Sequence, residues 1–119
     1  MQRNPLTAIF DMIQAVERAQ RFSCGLSEAE FTSNEPVQWA IFSQIVILGE
    51  AAGRVERTFQ NANPDVPWAS IIGMRHRLVH GYDSVDWVRV WKTLRDDLPS
   101  LLYKLKTLMS NEEARKNEP

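Results

Sequence analysis

Hydrophobic positions recur every three or four residues along most of the chain, and nowhere do they alternate with the period of two expected of a strand. The first run is Leu6, Ile9, Phe10, Ile13 and Val16, placed behind Asn4 and Pro5. Asparagine supplies a capping oxygen and proline suits the first helical position, so a helix is expected from Pro5 to about Phe22, ended by Gly25. "SEAE", Ser27 to Glu30, has the spacing of a capping box, in which serine and glutamate satisfy each other's backbone donors. It predicts a short second helix.

A third helix is expected from about Asn34 to Asn61. Ile41, Ile45, Leu48, Ala52, Val55 and Phe59 step by four and three into one straight core stripe. A second stripe, Trp39, Phe42, Val46, Gly49 and Gly53, lies roughly 100° away. Two apolar faces mean two partners: the core plus another helix admitted by the small glycines, or neighbours on all sides within the chain's own bundle. "NPDVP", Asn63 to Pro67, reads as a turn, after which Pro67 opens a fourth helix that Gly81 ends. "DSVD", Asp83 to Asp86, places short polar caps before the last helix, whose seam is Trp87, Trp91, Leu94, Leu98, Leu101, Leu105 and Leu108. Pro99 removes one backbone bond and crowds the previous turn, so a kink is expected there. The polar end "NEEARKNEP" is expected to fray. The fold class is therefore all-α: an antiparallel bundle of four main helices and one short one over residues 1–110, with a polar tail at 111–119.

At 119 residues the chain is long enough for one domain with a real core, and its 44% hydrophobic and 24% charged residues are ordinary for a soluble globular protein. A formal net charge of −1 excludes a protein that coats nucleic acid by bulk charge, so any phosphate recognition must come from a local patch. The single cysteine, Cys24, cannot form an intrachain disulfide, which fits a reducing cytosol, and it carries no catalytic signature. No signal-peptide pattern opens the chain, and "WAIFSQIVILG" is too short and interrupted to span a bilayer. A cytoplasmic protein with no membrane association is expected.

The candidate chemistry is in "MRHRLVHGY", Met74 to Tyr82, which holds both histidines and two arginines but no acidic residue. On a helical wheel Arg75 falls in the middle of the apolar face made by Trp68, Ile71, Ile72, Leu78 and Val79. A charge there is costly unless partnered. It either snorkels or pairs with a carboxylate such as Glu50, or it waits in a groove for a phosphate that matches its planar fork. His76 and His80 stand one turn apart on a neighbouring face. Arg75 and His80 diverge by roughly 140° and differ in height by about 7.5 Å, so one helix focuses both on one atom only if the long arginine bends around. A symmetric dimer offers another way to line one cleft with both. Tyr82, past the helix stop, either folds back toward His80 or packs on the bundle.

Three chemistries use such groups. Metal binding by His76 and His80 lacks "HExxH" and a third ligand, so no metal or other cofactor is expected. Nucleophilic catalysis lacks a serine or cysteine beside the histidines. Metal-free RNA cleavage needs an imidazole to move protons at the ribose 2′-OH or leaving oxygen, and a cation to meet the charge growing on phosphorus-bound oxygens. The cluster contains both.

"RHRLVHGY" resembles the R-x4-H-x-Y signature of HEPN-domain proteins, specifically the HepT-like toxins of bacterial and archaeal toxin–antitoxin pairs. "SEAEF", "ILGEAAGR", "PDVPWASIIGMRHRLVHGY" with "VDWVRVW", and "DLPSLL" are similar to family blocks and stand in family order, from Ser27 to Leu102. The resemblance implies a helical bundle that forms a homodimer and cleaves RNA without metal, the motif lining a cleft between protomers. It implies that Arg75 and His80 are the catalytic pair, that His76 fills the assisting polar position, and that Tyr82 is the tyrosine to which a minimal nucleotidyltransferase antitoxin adds AMP. The chain departs from the family in lacking a tyrosine-rich opening and in carrying Phe42 and Ser43 where an arginine is frequent. Both departures bear on partner choice and on grip of RNA. A second class of function stays open beside the nuclease: a non-catalytic helical module that presents RNA or nucleotide to a partner. A third is a metal-binding bundle using His76 and His80.

Overall fold

A computed structural model of the chain describes residues 4–118; residues 1–3 of the expected domain and residue 119 of the expected tail lie outside it. All regular structure among the described residues is helical. Helix α1 spans Pro5–Phe22, α2 Glu28–Thr32, α3 Glu35–Gly53, α4 Arg57–Ala62 and α5 Trp68–His80. A single 3-10 turn follows at Tyr82–Ser84, then α6 at Trp87–Lys92 and α7 at Leu98–Lys116.

The capping chemistry is as expected. The Asn4 side chain accepts from the Leu6 N–H at 3.0 Å, with Pro5 in the first turn of α1. Past Phe22 the chain turns through Gly25, whose φ of 80° is the left-handed conformation that glycine adopts without steric cost. The Ser27–Glu30 box is closed in both directions, at 3.0 and 3.1 Å. The Glu30 carboxyl is held below the usual carboxylate range first by the Ser27 backbone N–H and then by its hydroxyl. A depressed folded value means this cap supports α2 at neutral pH and weakens as pH falls through that value. In a carboxyl NMR titration Glu30 should titrate below its ordinary value, and Ser27→Ala should raise it only part of the way because the backbone donor remains. An unshifted Glu30 in the wild type would show that the box is open in solution.

Helix α3 is shorter than its hydrophobic stripe predicts. It ends at Gly53 instead of running to Asn61. Glycine is a poor helix residue, and here the Arg54 and Val55 N–H groups tighten onto the Ala51 and Ala52 carbonyls. Gln60, on α4, then donates to the Val55 carbonyl at 2.9 Å, and Arg54 pairs with Asp11 of α1 at 2.8 Å. Val55 stays buried and Phe59 half-buried, so the stripe still reaches the core, on two helices instead of one.

The last helix is irregular where Pro99 predicts it. Thr93–Asp97 widen into a π turn, with the Leu98 N–H bonded to the Thr93 carbonyl five residues back. Proline cannot donate to the carbonyl four residues before it, and the wider turn reshuffles the partners without breaking the helix. Helix α7 continues through the polar end to Lys116, mostly exposed along its final turns.

Helix α3 lies between α1 and α5, and α1 also packs on α7. The core joins Ile9, Met12 and Val16 of α1 to Ile41, Ile45 and Leu48 of α3 and to Leu98, Leu101 and Leu105 of α7. A string of rings, with Phe31 against Trp87 and Trp91 and with Trp39 against Trp87, ties α2 and the start of α3 to α6. Helix α5 rests chiefly on α3 and buries only Trp68 and Ile71 fully. Its other flanks are open, and it carries the candidate chemistry.

Candidate active site

Helix α5 is prepared by one indole and one amide hydrogen bond. Trp68 donates its Nε1–H to the Asn63 carbonyl at 3.0 Å, and Asn63 in turn donates to the Phe59 carbonyl at 2.9 Å. Pro67 sits one position before the helix instead of inside it, because Trp68 is the first helical residue. Gly81 stops the helix as expected, its N–H bonded to the Arg77 carbonyl at 2.9 Å.

The close approach that the glycines of α3 permit is made by Gly49 to Arg75. A methyl group at Gly49 would overlap the Arg75 Cβ, and would come within 2.8 Å of its Cγ and 3.3 Å of the Ile71 carbonyl oxygen. Gly53 faces open space. The second stripe of α3 is therefore met at Gly49 by a helix of the same chain, whereas Trp39 stays exposed.

With its stem laid across Gly49, Arg75 reaches back to Glu50. Its Nη2 donates to Glu50 Oε1 at 2.5 Å, with the side chains 29% and 52% exposed. Of the alternatives open for Arg75, this fold makes the carboxylate pair. A pair this exposed is worth no more than about 1 kcal/mol, so it orients the guanidinium without locking it. The Arg75 Nε is buried and has no acceptor among the described residues. A buried donor left unmade is costly.

The histidines come together. The rings of His76 and His80 lie 4.3 Å apart between centroids, tilted by 55°, and both residues are exposed. None of the four ion pairs among the described residues involves them. Tyr82 neither folds back nor packs down; it is 63% exposed.

A cleft of about 890 Å³ opens along the other flank of α5, against α6 and α7. Met74, Leu78 and Leu101 contribute to an apolar floor, and Arg77, Arg89 and Lys104 to a polar rim. Arg75, His76 and His80 do not line it. Sequence reading singled out none of this. The signal was present in Ser70, Met74, Arg77 and Gly81, which repeat at helical spacing on one side of α5.

The arrangement supplies a guanidinium oriented by Glu50 and, on adjoining turns, two imidazoles that make no ion pair among the described residues. This is the equipment of proton transfer beside an anion. The family model described as ribonuclease HepT-like matches residues 12–108. The chain belongs to the HepT-like ribonuclease family. A Thermococcus cleftensis protein named "Probable ribonuclease HepT" is 31% identical over 108 residues, covering 91% of this HepT-like chain and 98% of the relative. MJ1380 of Methanocaldococcus jannaschii, named as a candidate RNase, is 26% identical over 100 residues, covering 84% and 92%. No solved structure matches the chain. The HepT-like family is helical, in agreement with the bundle seen here, and no helix among the described residues is long and apolar enough to cross a membrane.

Proposed function

We propose that the chain is a metal-independent endoribonuclease, the toxin of a prokaryotic toxin–antitoxin pair, acting in the cytoplasm as a homodimer of one HEPN-like domain (residues 1–110) with a polar tail (111–119). His80 takes the proton of a ribose 2′-OH, the 2′-oxygen attacks phosphorus, and the 5′-oxygen leaves with a proton from a second imidazole. The products are a 2′,3′-cyclic phosphate and a 5′-hydroxyl end. Arg75 meets the charge on the non-bridging oxygens, and His76 assists beside His80. A two-fold axis lets each protomer contribute an arginine and a histidine to one RNA-binding cleft.

The observation that carries this reading is the pairing of two exposed imidazoles, His76 and His80, on the helix that also holds the Glu50-oriented Arg75. Nuclease activity itself is supported by membership of a ribonuclease family. A minimal nucleotidyltransferase antitoxin neutralises the enzyme by placing AMP on Tyr82, whose exposure leaves its hydroxyl reachable. The added phosphate puts negative charge where RNA must bind.

The decisive test is substrate chemistry. An RNA oligonucleotide should be cut with cyclic-phosphate ends, the all-deoxy version should survive, and EDTA should leave the rate unchanged. Equal cutting of DNA, or loss of cutting in EDTA, overturns the mechanism. The Arg75–Glu50 pair favours one alternative, a non-catalytic module in which the arginine is purely structural. Growth on expression separates the two: harm from the wild type and none from His80→Ala supports the enzyme, whereas no harm from either supports the module.

A further inference from the structure

His76 and His80 face solvent from the last turns of α5, free of carboxylate partners. Two ring nitrogens bound to one ion at about 2.1 Å place imidazole centroids about 4.6 Å apart for a right-angle pair and about 5.3 Å apart for a tetrahedral pair. The observed separation is 4.3 Å. The separation is close to the right-angle value, the preference of copper(II) and nickel(II), and well short of the tetrahedral value that suits zinc. The end of a helix adds partial negative charge that favours a cation. No third His, Cys, Asp or Glu completes the set among the described residues, which leaves the remaining positions to water or to phosphate oxygens.

We propose that His76 and His80 form a two-point clamp for a transition-metal ion of the copper and nickel class, and that the ion stops RNA cleavage by occupying the His80 nitrogen. The expectation of no metal rested on the missing third ligand, and the ring geometry is what changes it. The ion is an inhibitor here, not a cofactor. Binding stands on the geometry alone; the inhibitory half rests on the proposed nuclease function.

Calorimetric titration of the full chain with nickel(II) at neutral pH should show one ion per chain. Either His76→Ala or His80→Ala should weaken binding roughly tenfold or more, since one imidazole loses the effective concentration supplied by the other. Both sites are exposed, and an unchanged circular-dichroism spectrum checks folding. Variants that bind like the wild type, or a wild type that takes up no nickel at millimolar concentration, overturn the clamp. In the cleavage assay nickel should slow the wild type and EDTA should restore it; bound nickel with an unchanged rate overturns the inhibition. A chain that cuts no RNA even without metal defeats the nuclease reading instead, and calorimetry then decides the clamp alone.

Discussion

His80→Ala should lower RNA cleavage by about 10²–10⁴-fold, the usual worth of a positioned general acid or base. Its melting midpoint should barely move. His80 is exposed, and surface substitutions away from caps and networks generally stay within about 0.5 kcal/mol. His80 is also the last residue of α5, where Gly81 already supplies the stop, so trimming the ring leaves the helix end intact. Rate measured beside far-UV circular dichroism and thermal denaturation checks this. Activity within a few-fold of wild type would remove His80 from the mechanism, and lost activity together with lost helix would make it structural.

Gly49→Ala should be damaging through a different route. Alanine is the better helix former by about 1 kcal/mol, so local propensity alone predicts a gain. The new methyl has nowhere to go, since it overlaps the Arg75 Cβ, an atom fixed to the backbone of α5 that cannot swing aside. Overpacking costs about 1–3 kcal/mol, and an overlap with a Cβ belongs at the upper end, beyond the propensity gain. The strain is relieved by moving α5 away from α3, so Arg75 shifts against Glu50 and cleavage falls along with stability. Gly53→Ala is the matched control. Nothing lies within 4 Å of a Cβ there, so it should be neutral or slightly stabilising. Equal effects of the two substitutions on the denaturation midpoint would show that the close contact is not made in solution.

Much of the fold was legible because capping chemistry is local. Asn4 with Pro5, Ser27 with Glu30, and Asp86, which accepts from the Arg89 N–H, all act within three residues of themselves. The seam of the last helix was equally plain, and Leu94, Leu98, Leu101, Leu105 and Leu108 are all buried. The break after Gly53 was not. A stripe that continues through Val55 and Phe59 looks the same on one helix as on two, and the Gln60 side chain that satisfies the Val55 carbonyl is an ordinary polar residue in sequence. Within the site, the meeting of His76 and His80 followed from their spacing alone. Glu50 was named as a carboxylate partner for Arg75, but choosing that pair over a groove open to phosphate required knowing that α3 and α5 touch at Gly49.

The cleft and the imidazoles sit on different sides of one thin helix. A screening campaign that aims for this cleft will therefore gather compounds along Met74, Leu78 and Leu101 that leave His76 and His80 untouched. Drug-like ligands and chemical knock-out are separate problems here, and reaching the second means designing against the open face of α5.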